Sequence, residues 1–515
     1  MKERKKIIFL LLIMLVFSGL IFLQIFKKNI AVLGDNATYY LLGLSINQGH
    51  GYSNLLEAGK PATNSFPPGY PLLMAVIMFF NKGVLIQKIA NLFFLFGAVV
   101  FLFFVARKFV TSLQAFFIGV LCVTNFYLLR ISTLMMSEAS FIFFSMLSIW
   151  LITAETKKNP FKSLSFYALV FSVCFLWHIR TQGLALMIAI LLFYLLKRQW
   201  YHAAFFSFLS TLCSLPWMLR NRALDLSGSR YLNQIMVKNQ WRPEQGSIGL
   251  EELVYRFFET WRMLFVKAIP DSLFNFINYQ QNHHDSPQLW VVALIILAIM
   301  GTGFIIKMKN YAFLFLAYIM LSVSIIGLWS AASYNRYVVV IIPILLLGFY
   351  GGLIYLLELA TKKLNLHPRI LLAVFIVSCV AQMPKIKALK VENSKKLSAS
   401  FSNYFQLGTF IREKHPQGNV VVSSRKPSLF YLYARSYGCK YPYTTKHNEM
   451  LQGLVDRNVD YVIVEQLGYI STEKYLIPTI KAYPQFFGGV KALKNPNTYL
   501  FRFRKRKAAA YLSGK

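Results

Sequence analysis

Residues 7–40 read IIFLLLIMLVFSGLIFLQIFKKNIAVLGDNATYY, and this stretch decides the fold class. The apolar run from Ile7 to Phe26 is long enough, at about 1.5 Å per residue, to cross about 30 Å of hydrocarbon. A cleavable leader has a shorter apolar run and a small-residue cleavage site. Here Lys27 and Lys28 follow instead, which predicts a retained first span. Asp35 comes a few residues later, so it belongs near the membrane surface. Read locally, it is either the cap of a helix beginning at Asn36 or a candidate general base.

The same character runs through most of the chain. Of 515 residues, 56% are hydrophobic and 15% charged, against about 25% charged in a soluble domain. Further apolar runs fall at 84–106, 112–129, 135–154, 163–179, 183–196, 200–218, 289–306, 310–329, 337–360 and 370–383. One more, Tyr70–Phe80, is short and begins among prolines, which suits an interfacial helix better than a span.

Charge arbitrates the topology, because Lys and Arg gather in cytoplasmic loops. With eleven spans and a cytoplasmic N-terminus, the inner pieces hold Lys2, Arg4, Lys5 and Lys6, then Arg107 and Lys108, then Lys157, Lys158 and Lys162. Lys197 and Arg198, Lys307 and Lys309, and Lys362, Lys363 and Arg369 follow on the same side. The short outer loops hold one arginine each: Arg130, Arg180 and Arg336. Counting 70–80 as a span would invert every later loop. This reading predicts a multi-pass protein of the inner (plasma) membrane, with a helical membrane domain at 1–384 and an extracytoplasmic domain at 385–515.

The tail alternates helical and strand patterns, with strands at Val420–Ser423, Tyr461–Glu465 and Tyr499–Arg504 and helices at 397–415, Pro427–Tyr437, His447–Arg457 and Ser471–Tyr483. A small α/β layer is expected. It lacks a phosphate-binding glycine loop, and its 23 Lys/Arg against 7 Asp/Glu suit anionic headgroups or glycans. Nucleic acid does not fit an outer face. Four cysteines, Cys122, Cys174, Cys213 and Cys379, lie in apolar runs and Cys439 stands alone in the tail, so no disulfide framework is expected.

The polar residues of chemical interest share the outer side. Glu57 and Lys60 precede the FPPGYP turn, and Glu138 sits inside an apolar register, where an acid is costly unless paired or functional. Its bland reading is a structural pair with Arg130. Arg180, Arg220 and Arg336 cap the outer ends of three spans; converging guanidinium groups would suit an anion, phosphate above all. His283, His284 and Asp285 are the one metal-like cluster, but neighbouring residues seldom share an ion, and no metal or cofactor is expected.

In order and spacing, Asp35, FPPGYPLL at 66–73, SEA at 137–139, RTQGL at 180–184, PWMLRN at 216–221 and RYVVVIIP at 336–343 resemble the GT-C superfamily of polyprenyl-phosphate-dependent glycosyltransferases. Protein O-mannosyltransferases and bacterial lipid A aminoarabinose transferases are among its members. The resemblance covers about residues 5–385 and implies a GT-C membrane fold with interfacial helices in the first outer loop. It implies transfer of a sugar from a polyprenyl-phosphate donor to a protein, lipid or glycan hydroxyl, with inversion. Asp35 would be the base, and Lys60, Arg180, Arg336, Tyr337 and Glu138 would bind donor phosphate or substrate. The chain departs from many protein mannosyltransferases in having Asn36 beside its single acid. A flippase for an anionic lipid-linked glycan would use the same arginines, but should carry internal repeats and mid-bilayer polar groups; no repeat is visible, and the spans at 84–106, 289–306 and 337–360 have no charge in their cores.

Overall fold

The computed structural model describes residues 2–27, 29–154, 159–226, 235–239, 242–274, 286–329, 334–364, 367 and 369–514. His283, His284, Asp285, Lys28, Lys157 and Lys158 lie outside the described residues.

Every apolar run read from the sequence is helical. Among the described residues, six helices are long and apolar enough to cross a membrane: Glu3–Ile25, Val84–Ala106, Trp200–Ala223, Pro287–Lys307, Asn335–Lys363 and the apolar first part of Arg369–Lys414. That last helix turns at Ala381 and Gln382, so its apolar portion is Arg369–Val380. Ser112–Thr124 and Phe126–Ser132 make a seventh span if taken together across a 61° bend. The bend has a local cause: the Asn125 side chain accepts from the backbone N–H groups of Tyr127 and Leu128 and starts a new helix there. Four shorter apolar helices, Glu138–Ala154, Leu164–Ile179, Gly183–Leu196 and Ala312–Gly327, occupy the remaining expected spans. The chain is a multi-pass membrane protein.

Asn335–Lys363 is the axis of the bundle, with 89% of its apolar window buried. It meets Pro287–Lys307 at bare backbone. A Cβ on Gly352 would stand 1.8 Å from the Ile299 carbonyl oxygen, so only glycine permits this approach. Gly69–Phe80 is a helix of 12 residues, about 18 Å long and too short to span. It packs on Asp35–Asn47, and both belong to the first loop.

Beyond Ser394 the chain builds a mixed five-stranded sheet in the order β2-β1-β3-β5-β4, with β1 Val421–Ser423, β2 Tyr437–Cys439, β3 Tyr461–Val464, β4 Phe487–Leu493 and β5 Thr498–Phe503. Strands β1, β2 and β3 are parallel, and β5 runs antiparallel to β3 and β4. The helix expected over Pro427–Tyr437 stops at Ala434, because Arg435 adopts the left-handed conformation, with φ 53°. Tyr437 then opens β2. Strand β4 and the final helix, Lys505–Leu512, were not among the expected elements.

The sheet region docks on the first loop. The Gly438 N–H donates to the Leu56 carbonyl at 2.9 Å, and the hydroxyls of Thr38 and Ser428 lie 2.9 Å apart. One buried hydrophobic cluster runs through both parts, from Leu44 and Leu55 to Tyr404 and Phe430.

Candidate active site

Helix ends bring four charged groups together. Asp35 opens the helix Asp35–Asn47, Glu138 opens Glu138–Ala154, and Arg336 lies in the first turn of Asn335–Lys363. Arg180 sits between Leu164–Ile179 and Gly183–Leu196. Arg336 Nη2 donates to Asp35 Oδ2 at 2.8 Å, and its Nε approaches Glu138 Oε1 at 3.4 Å. Arg180 Nη1 reaches the same Glu138 oxygen at 3.0 Å. The row is graded in depth: Glu138 is 1% exposed, Arg180 11%, Arg336 38% and Asp35 42%. Glu138 therefore serves as a buried counter-ion, and Asp35 faces outward.

Surrounding polar groups fix this row. Arg180 donates to Ser137 Oγ at 3.1 Å and to Gln182 Oε1 at 3.3 Å. Gln182 Nε2 in turn donates to the carbonyl of Tyr337 at 3.3 Å, so Tyr337 joins the network through its backbone. Arg130, expected beside Glu138, instead pairs with Glu392 at 3.1 Å, from the short helix Phe126–Ser132 that follows the bend at Asn125. Arg220 donates to the carbonyls of Tyr52 and Thr63 and lies 4.8 Å from the Trp217 ring centre, pinning the first loop. Lys60 contacts His50 at 2.6 Å and lines neither of the cavities at this site.

Two cavities meet at Arg336. One, of about 670 Å³, has apolar walls from Ile30, Phe126, Ile131 and Val339, with Lys27, Arg130 and Lys385 around it. The other, of about 610 Å³, is lined by Asp35 and by Lys426, Tyr443 and Tyr469 of the sheet region. Arg336 lines both. Sequence reading missed two groups here. Asp271 faces the first cavity and accepts from the Tyr127 hydroxyl and from Asn335 Nδ2; burial pushes its carboxyl above the usual range. Lys426 donates to the carbonyls of Val32 at 2.9 Å and Leu33 at 2.7 Å, the two residues before the Gly34 turn into Asp35.

No protein-family profile matches the chain, and no curated protein matches it in sequence. Solved structures do. ArnT from Cupriavidus metallidurans, bound to undecaprenyl phosphate, superposes with a TM-score of 0.62 at 11% identity, over 95% of this chain and 97% of that one. The fold is of the GT-C type. In its apo state the same protein matches 99% of both chains with a TM-score of 0.60 and 11% identity. The archaeal oligosaccharyltransferase AglB from Archaeoglobus fulgidus, in complex with an inhibitory peptide and a dolichol-phosphate, gives 0.57 at 12% identity over 96% of this chain and 74% of that one. In this chain the two carboxylates on either side of Arg336, Asp35 and Glu138, are both held by its guanidinium group, which supplies the positive charge there. Among the described residues no group of three His, Cys, Asp or Glu is arranged to hold a metal ion.

Proposed function

We propose that this protein transfers a sugar from a polyprenyl-phosphate donor to an acceptor hydroxyl at the extracytoplasmic membrane surface. The observation that carries the reading is the Asp35–Arg336–Glu138 row at the junction of two cavities. An apolar cavity with lysine and arginine at its margin suits a phosphate on a long hydrocarbon tail. The cavity beyond Asp35 then receives the acceptor.

In the step itself, Asp35 takes the acceptor hydroxyl proton while the acceptor oxygen bonds to the anomeric carbon. The bond from that carbon to the phosphate oxygen breaks, and polyprenyl phosphate leaves. Direct displacement inverts the anomeric centre. A carboxylate is an adequate base because the sugar is oxocarbenium-like at the transition state. Charge grows on the departing phosphate, and Arg336, already oriented by Asp35 and Glu138, is in position to meet it without reorganising. Arg180 and the buried Glu138 hold Arg336 in that orientation. The helical part would form the membrane domain, 1–384, with the N-terminus cytoplasmic and the sheet region, 385–515, outside. A flippase reading has less support, because both TM-matched neighbours are named for sugar transfer or its lipid carrier.

Mass spectrometry of envelope glycans, glycolipids and glycoproteins, with and without the gene, tests this. Loss of one sugar-mass increment on deletion is expected. Identical profiles would remove the transferase reading.

A further inference from the structure

The geometry points to Asp271 as the residue that selects the donor's sugar, its Oδ1 accepting a hydrogen bond from a sugar hydroxyl. This deepens the transferase reading and rests on it for seating the polyprenyl-phosphate donor in the 670 Å³ cavity. Asp271 is 5% exposed and lines that cavity with Tyr127, Asn335 and Arg336. The Tyr127 hydroxyl and Asn335 Nδ2 both donate to its Oδ2. Among the described residues Oδ1 accepts no hydrogen bond, and it is not sealed inside the protein, so it opens on the cavity. Lys385, which also lines the cavity, acts on the Asp271 charge without forming an ion pair with it. An ionised carboxylate carries lone pairs on both oxygens, so Oδ1 is an acceptor presented to whatever fills the cavity.

Asn125 sets this arrangement from both sides. Its side-chain oxygen caps the helix Phe126–Ser132, which places Tyr127, and its Nδ2 donates to the Ser272 carbonyl at 2.7 Å, which places Asp271. Asn335 immediately precedes Arg336, so the acceptor and the phosphate-facing guanidinium are fixed by one turn of helix. Of the donor's three parts, the phosphate is repelled by a carboxylate and the hydrocarbon chain has no hydrogen bond to give it, which leaves the sugar. A neutral sugar fits better than a cationic one. Lys27, Lys385 and Arg336 line the same cavity, and its other carboxylates, Glu138 and Glu392, already pair with arginine.

Equilibrium binding to the full-length protein in neutral detergent, with no acceptor present, tests this. The ligands are undecaprenyl phosphate esterified to glucose, galactose, mannose or the cationic sugar glucosamine, and undecaprenyl methyl phosphate, which keeps the diester charge and has no sugar. At least one neutral glycoside should bind about tenfold or more tighter than both the methyl diester and the glucosamine form. In Asp271→Asn the amide oxygen stays with Tyr127 and Asn335, and an N–H replaces the acceptor at the cavity. That variant should weaken the preferred glycoside at least about tenfold and leave the methyl diester unchanged, a split that general damage to the fold would not produce. No neutral glycoside tighter than the methyl diester, tightest binding by the glucosamine form, or a full glycoside preference kept by Asp271→Asn would overturn the proposal. The ligand series on the unsubstituted protein decides even if the variant misfolds. Because no acceptor is present, failure here leaves the role of Asp35 in transfer untouched, and loss of transfer with the glycoside preference intact would leave this contact standing.

Discussion

Arg336 and Asp35, 301 positions apart in the chain, form an ion pair at 2.8 Å where two cavities meet. The pair puts the proposed base and the proposed phosphate-facing cation in direct contact. Because Arg336 uses separate nitrogens for Asp35 and for Glu138, a single ammonium cannot replace it. Arg336→Ala should lower kcat by about 10²–10³-fold, as removal of one preorganised charge donor does. Arg336→Lys should recover only part of that loss. Steady-state kinetics with a lipid-linked donor check it, and an unchanged kcat for Arg336→Ala contradicts it.

Glu138 is 1% exposed and faces two arginines, so its removal leaves Arg180 buried without its counter-ion. Breaking a buried pair on one side costs about 3–5 kcal/mol. Glu138→Ala should therefore lower the thermal unfolding midpoint in detergent markedly. A midpoint equal to that of the unsubstituted protein would show that the row is not structural.

The apolar helices were legible in the sequence because apolar length survives without any tertiary information. Asp35, Glu138, Arg180 and Arg336 were each visible as polar groups at apolar ends. Which of them touch was not visible, since Arg336 and Asp35 meet only after the bundle closes. Arg130 shows the limit: it follows the turn at Asn125, a capping event, and pairs with Glu392. Asp271 and Lys426 carry no local signal at all. One lies in a long loop, the other in a basic tail where lysine is common, and only packing gives them a role. Strand β4, with Gly488 and Gly489, has weak strand propensity and takes its form from pairing with β5.

Lys426 acts on Asp35 through the backbone, by holding the carbonyls of Val32 and Leu33 ahead of the Gly34 turn. Lys426→Met should loosen that turn and lower kcat by about tenfold, equivalent to about 1.4 kcal/mol, with a smaller change in donor KM. An effect confined to donor KM would place Lys426 in donor binding instead.

Glu465 gives a pH signature in the sheet region. It is 3% exposed, and burial pushes its carboxyl up to about 7, against an ordinary value of 4.5. Between those values the folded protein holds a proton that the unfolded chain has released. This group's contribution to stability is therefore present at low pH and lost as pH rises through about 7. Glu465→Gln should flatten the dependence of the unfolding midpoint over that window and be the more stable form at pH about 8. Parallel midpoint curves for the two proteins would contradict this.

The base assignment is the centre of the account, and one substitution tests it most directly. Asp35→Asn keeps the shape of the site and removes the proton acceptor, which in general base catalysis is worth about 10²–10⁴-fold. The measurement is the sugar-mass increment on the envelope acceptor, by mass spectrometry, in deletion cells supplied with either the original gene or the Asp35→Asn variant at equal membrane abundance. The account predicts that the increment returns with the original gene and stays absent with the variant. Full return of the increment with Asp35→Asn would contradict it.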